Sequence, residues 1–210
     1  GLWKTTDGGT TWTSNTDDLP TLGVSAILID PTNTNVMYIG TGDRDAGDAV
    51  GLGVYKSVDG GNTWSASNTG MGNKEVSHMI MHPTNSQYIL AATSGGIYRT
   101  VNGGSSWTLE SSNSSFYKDI KWMPGSSSVA YATETSGSAG FYKTTNGGDT
   151  WVEITSGLPT NGQRYVIGVS QADTNVVYLL SSISSSFDGL YKSTNAGASF
   201  STQSTTPNIL

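Results

Sequence analysis

The chain has 210 residues, of which 35% are hydrophobic and only 12% charged, and it carries a net charge of −6. Its ten Lys and Arg form no cluster along the sequence, which argues against a phosphate-tracking surface and hence against a nucleic-acid partner. No apolar run approaches the roughly 20 residues of a membrane span, and without cysteine the chain has neither disulfides nor thiolate metal sites.

In chain order, two kinds of element alternate. The first segment, Gly1 to Trp12, joins a short apolar run, a Gly-rich turn and an aromatic residue. A strand-like run from Val24 to Asp30, a turn led by Pro31 and Asn33, and a second run from Val36 to Gly40 follow. The first segment then returns as Gly53 to Trp64 (GVYKSVDGGNTW). The next cycle is Val76 to His82, a turn from Pro83 to Ser86, Tyr88 to Ala92, and Gly96 to Trp107 (GIYRTVNGGSSW). The third is Tyr117 to Met123, Val129 to Ala132, and Gly140 to Trp151; the fourth is Tyr165 to Gln171, Val176 to Leu180, and Gly189 to Phe200. The five Gly-rich segments start 52, 43, 44 and 49 residues apart, the length of a four-stranded propeller blade. The 27 glycines suit many tight turns, and no segment sustains a helical period.

The predicted fold is therefore all-β, a β-propeller of four-stranded antiparallel blades. Each blade reads strand A, Pro/Asn turn, strand B, loop, strand C, Gly-rich turn, strand D. The expected boundaries are a half blade at 1–20 and blades at 21–70, 71–113, 114–157 and 158–206. The first segment is a C strand, and the A strand after Phe200 falls near position 212, beyond Leu210. The spacing thus predicts part of a larger ring, with any secretion signal upstream of residue 1.

The Gly-rich turn has the core [Ser/Thr]-x-[Asp/Asn]-x-Gly-x-[Ser/Thr]-[Trp/Phe]. Asp7, Asp59, Asn102, Asn146 and Asn195 are placed to accept from turn amides, and the glycines permit positive φ. Trp12, Trp64, Trp107, Trp151 and Phe200 then return a ring to wedge between sheets. Three of the five polar positions are Asn, which does not titrate, so the expectation is a structural role rather than acid–base work.

This pattern resembles the Asp-box or BNR-repeat proteins: sialidases, sortilin-type receptors and xyloglucanase-type glycoside hydrolases. The stretch Gly40 to Asp48, running on to Gly53–Gly61, is similar to propeller regions of large secreted Bacteroidetes proteins that carry a type IX secretion sorting domain. The resemblance implies a ring of seven or more blades and an extracellular or cell-surface, bacterial setting. It does not choose among enzyme, receptor and scaffold. Xyloglucanase-type enzymes keep a catalytic Asp near a Gly-Gly-x-Tyr-Arg-Trp-like stretch; here Gly95-Gly96-Ile-Tyr-Arg99 follows Ser94, with no acid close upstream. Sialidases use an arginine triad and a Tyr–Glu pair, and only Arg44, Arg99 and Arg164 are present, with no Arg-Ile-Pro motif.

Ligands are expected on the face of the D–A and B–C loops, away from the Asp-boxes. The least regular of these loops holds Asp43, Asp45 and Asp48, three carboxylates at i, i+2 and i+5 that suit a hard cation such as calcium. The competing reading is a solvated loop in which Arg44 pairs with a neighbouring carboxylate. No cofactor is required. Hydrolysis of a glycoside needs two carboxylates roughly 5 to 9.5 Å apart, and Asp43, Asp45, Asp48, Glu75, Glu110, Glu134, Glu153 and Asp188 are the acids on that face. His78 and His82 share a strand without a third ligand, so zinc is not expected. The favoured function is a non-catalytic propeller segment, a scaffold or a protein- or glycan-binding module. Its partners are other blades or domains of the parent protein and a protein or polysaccharide ligand. The alternative is a xyloglucanase-type hydrolase acting on β-glucans.

Overall fold

Short runs rich in Val, Ile and Tyr, broken by Pro, Asn and Gly, form strands too short to stand alone, and they pair antiparallel in chain order. The structure, a computed structural model, describes residues 1–45 and 47–206; Ala46, inside the Asp43–Asp48 loop, and residues 207–210 lie outside the described residues. Among the described residues there is no helix, and hence none long and apolar enough to cross a membrane.

Strands β1 (Trp3–Lys4) and β2 (Thr13–Ser14) make a two-stranded sheet. Four four-stranded sheets follow. The first holds β3 (Val24–Ile29), β4 (Met37–Thr41), β5 (Val54–Ser57) and β6 (Ser65–Ala66). The second holds β7 (Val76–His82), β8 (Asn85–Thr93), β9 (Gly96–Thr100) and β10 (Thr108–Leu109). The third holds β11 (Tyr117–Trp122), β12 (Ala130–Ser136), β13 (Ser138–Thr144) and β14 (Val152–Glu153). The fourth holds β15 (Arg164–Val169), β16 (Val177–Ile183), β17 (Ser186–Ser193) and β18 (Ser201–Ser204).

The core lies between the sheets, because alternate residues of each second strand point to opposite faces. On β8, Ile89 and Ala91 pack with Tyr38, Val54 and Trp107, whereas Leu90 and Ala92 pack with Ile120, Ala130 and Trp151. On β12, Ala130 and Ala132 join that second cluster, and Tyr131 turns to Ile167, Leu179 and Phe200. Each inner sheet is thus buried on both faces, which is how blades of a propeller stack.

Polar contacts repeat at the same step. Tyr38 Oη and Lys56 Nζ donate to the Gly103 carbonyl at 3.1 and 2.8 Å, and Tyr131 Oη and Lys143 Nζ donate to Ala196 O at 3.2 and 2.7 Å. Tyr88 Oη donates likewise to Gly147 O. A tyrosine of the second strand and a lysine of the third therefore grip the Gly-rich turn of the next sheet. A further backbone link runs outward, from Trp107 N to Thr69 O (2.8 Å) and from Phe200 N to Ser156 O (2.9 Å).

Two expected loops are absent. Thr133–Ala139 and Ile183–Asp188 join the second and third strands of the third and fourth sheets, where a B–C loop is expected. They are instead tight hairpins, in which β12 and β13 are separated by Gly137 alone and β16 and β17 by Ser184 and Ser185. Both serines have positive φ (49° and 63°), the geometry that matches hairpin twist. The Pro83–Ser86 turn shrinks in the same way, since β8 begins at Asn85.

Candidate functional site

The Gly-rich turns hold the largest set of predicted residues. In the second copy, Asp59 Oδ1 accepts from the amides of Asn62 (3.0 Å) and Thr63 (2.9 Å), and the Thr63 hydroxyl donates to Oδ2 at 2.6 Å. In the third copy Asn102 Oδ1 accepts from the Ser106 amide at 2.9 Å, while Nδ2 donates to Ser106 Oγ at 2.9 Å. Asn146 and Asn195 repeat this pairing with Thr150 and Ser199. The hydroxyl reverses from donor to acceptor, so Asp and Asn serve one geometry. Asp7 follows Asp59, and the Thr11 hydroxyl and amide, with the Thr5 hydroxyl, hold its carboxyl at about 2. The Thr63 hydroxyl and amide hold Asp59 lower still. Every one of these groups faces its own turn.

The aromatics divide. Trp107, Trp151 and Phe200 are 4%, 8% and 7% exposed, whereas Trp12 is 54% exposed on the two-stranded sheet and Trp64 is half-buried. Trp12 thus does not wedge between sheets here, since β1–β2 offers one pair of strands against which to pack.

On the opposite face, the Asp43 loop is closed by its own carboxylate. Asp43 accepts from the amides of Asp45 (3.0 Å) and Asp48 (3.4 Å), the turn chemistry of an Asx motif. Asp45 is held by Arg44 Nε at 3.2 Å and by Arg164 at 2.9 Å. Among the described residues no three His, Cys, Asp or Glu side chains converge as a metal-holding group. Three other acids of this face are also engaged. Glu110 pairs with Arg99 at 2.9 Å, buried Glu134 accepts from the Tyr142 hydroxyl at 3.0 Å, and Asp188 accepts from Ser181 at 2.8 Å.

The first strands of three successive sheets bring together residues that linear reading left apart. A cavity of about 210 Å³ is lined by Arg44, His78, Lys118, Asp119, Lys121, Arg164, Tyr165 and Val166. His78 Nδ1 lies 2.8 Å from Asp119 Oδ1, whose other oxygen accepts from the Ile167 amide at 3.0 Å, and Lys121 Nζ is 3.7 Å from Oδ1. Burial pulls the Asp119 carboxyl upward, but the His78 bond, the Ile167 amide and Lys121 outweigh it and hold it below the ordinary carboxylate value. For Lys118 the balance is opposite: burial, aided by Arg164 and Arg44, lowers its ammonium against the pull of Asp45 and Glu75. Lys118 donates to the Arg44 carbonyl and lies over the Phe116 ring.

A local irregularity aims these residues. Register shifts between Val24 and Ala26, Val76 and His78, and Tyr117 and Asp119 make Ser25, Ser77 and Lys118 bulge residues of β3, β7 and β11. A bulge re-aims the side chain it carries. The only sequence sign was His78 and Asp119, each two residues into its strand, in consecutive repeats.

No curated protein is significantly similar to the chain in sequence. Among solved structures, an ancestral GH74 enzyme matches with a TM-score of 0.68 and 25% identity, over 85% of this chain and 24% of its own. YCF48 bound to D1 peptide matches with a TM-score of 0.60 and 19% identity, over 95% of this chain and 59% of its own. The extracellular domain of a putative one-component system from Bacteroides thetaiotaomicron matches at 0.60 and 16% identity, over 88% of this chain and 22% of its own. The chain spans about a quarter of the length of the GH74 enzyme. The family model of sortilin and neurotensin receptor 3 matches residues 52–157, just over half of the sequence. With stacked four-stranded sheets and repeated Gly-rich turns, the chain belongs to the Sortilin-Vps10 family of BNR/Asp-box β-propellers.

Proposed function

We propose that the chain is a non-catalytic propeller segment of a large secreted or cell-surface protein, acting as a scaffold or as a binding module for a protein or glycan. The observation that carries this reading is the engagement of five of the eight loop-face acids by donors of the protein itself: Asp43 by loop amides, Asp45 by two arginines, Glu110 by Arg99, Glu134 by Tyr142 and Asp188 by Ser181. Carboxylates spent on holding strands and loops serve a frame. The peptide-bound YCF48 structure supports a protein ligand for such a frame, and the extracellular bacterial domain supports the setting. The likeness to a GH74 enzyme favours a second reading, a xyloglucanase-type hydrolase of β-glucans. The test is incubation of the full chain with xyloglucan and mixed-linkage β-glucan, with reducing ends counted alongside binding by calorimetry. Retention of a ligand without new reducing ends is expected; sustained release of oligosaccharides would overturn the proposal.

A further inference from the structure

Four of the ten Lys and Arg of a chain with net charge −6 line one cavity. Arg44 comes from the β4–β5 loop, Lys118 and Lys121 from β11, and Arg164 from the first position of β15, with His78 of β7 beside them. One lining residue is acidic, Asp119, and its oxygens are directed to His78 and to the amides of Ile120 and Ile167. Asp45 pairs with both arginines, and Glu75 acts on Lys118 through its charge. Counting both with Asp119, four cations still face three carboxylates, and His78 adds a proton-dependent charge. The Asp45 contacts engage Nε of Arg44 and one terminal nitrogen of Arg164, and a guanidinium carries five donors in all.

Cations gathered from three sheets around one space repel one another, and an anion between them would relieve that repulsion. We propose that this cavity is a binding site for a tetrahedral oxyanion, a sulfate or phosphate, either free or as the monoester of a sugar. The inference rests on reading the chain as a binding module. Donors reach the space from a loop and from two strands, so they approach from several directions, which suits a tetrahedral acceptor better than a planar carboxylate. Arginine and lysine are the usual partners of such groups. The volume, about 210 Å³, equals roughly seven waters at about 30 Å³ each, room for an oxyanion and part of what it is attached to. The bulge at Lys118 builds the site, because it directs a lysine inward on the strand that also supplies Asp119 and Lys121.

Calorimetric titration of the full chain with inorganic sulfate, inorganic phosphate, glucose 6-sulfate and glucose 6-phosphate tests this. One saturable site is expected, weakened by added salt as exposed charge contacts are. Lys121→Gln and Arg164→Gln are each expected to weaken binding about tenfold, the scale of one lost charge-assisted hydrogen bond. Lys192→Gln, outside the cavity, is expected to leave it unchanged. Tighter binding of the esters assigns the ligand to a substituted sugar, and equal binding assigns it to the free anion. The absence of a saturable site for all four probes overturns the proposal, as does equal weakening by Lys192→Gln. Near-ultraviolet circular dichroism separates misfolding of Arg164→Gln from loss of the site, and the half-exposed Lys121 gives an independent variant. Hydrolysis of β-glucan would sink the non-catalytic reading without touching this titration.

Discussion

Substitution of Ala196 by glycine is expected to stabilise the protein. In four of the Gly-rich turns the residue after the Asp or Asn is glycine, with φ of 70°, 73°, 63° and 76° at Gly8, Gly60, Gly103 and Gly147. The fifth turn has Ala196 at φ 56°. A side chain in this left-handed region costs about 1–2 kcal/mol. Glycine removes that cost but gives the unfolded chain more freedom, worth about 0.4–1 kcal/mol in the other direction. The methyl group is dispensable, because Ala196 makes its contacts through the backbone: its amide donates to Asn175 O at 2.8 Å and its carbonyl accepts from Tyr131 and Lys143. The balance is a gain of about 0.5–1 kcal/mol, or about 1–4 °C in Tm for a chain of this size. Gly8→Ala is the mirror experiment, since a Cβ there meets nothing within 4 Å and only the backbone term acts. It is expected to lower Tm by a similar amount. Thermal unfolding of both variants, followed by tryptophan fluorescence, checks the pair. If Ala196→Gly leaves Tm unchanged or lowers it while Gly8→Ala is neutral, positive φ is not what selects glycine at this position.

Two other substitutions probe the frame. At Gly157 a Cβ would lie 1.8 Å from the Phe200 carbonyl, a backbone atom of the next sheet; Gly157→Ala is expected to cost more than about 3 kcal/mol in urea unfolding. Gly72→Ala, also at positive φ (70°) but with open space around it, is expected to cost only about 1 kcal/mol. At Asp7 and Asp59 the folded-state pKa is depressed, so these groups contribute stability that is present above about pH 4 and lost as the pH falls toward about 2. The double variant Asp7→Asn/Asp59→Asn keeps the turn geometry of Asn102 and Asn146 and is expected to lose less stability between neutral and acid pH. Urea midpoints at both pH values check this, and an unchanged difference from the parent would refute it.

The frame was legible because its parts are local. The turn needs an acceptor at Asp59 or Asn102, glycine two residues on, and a hydroxyl at Thr63 or Ser106, all within five residues. The strands were legible as short apolar runs, with shifts at their ends: β4 runs Met37–Thr41 and β15 begins at Arg164 rather than Tyr165. The hairpins at Gly137 and at Ser184–Ser185 were not, because Ser, Thr and Gly occur alike in loops and in strands buried against a neighbouring sheet. The basic cavity was hidden for a different reason. Arg44 and Arg164 are 120 residues apart, and they meet on Asp45 only in the folded chain.

The repeats agree in the frame and differ at the cavity. At positions where every copy performs the same task, the residue types agree: an Asp or Asn accepts from the same turn amide in all five turns, and a second-strand tyrosine reaches the next turn from Tyr38, Tyr88 and Tyr131. At the bulge of the first strand the residues differ. Ser25 donates to the Val76 carbonyl at 2.7 Å, Ser77 is buried, and Lys118 reaches into the cavity. The backbone offers the same re-aimed position three times, and only once does a charged side chain occupy it. Folding requirements shared by all the blades therefore do not account for Lys118. Burial lowers its ammonium, and at this position two other blades manage with serine. The Lys118 ammonium, which donates to the Arg44 carbonyl, stands at this cavity with Arg44, Lys121 and Arg164, the grouping on which the proposed anion site rests.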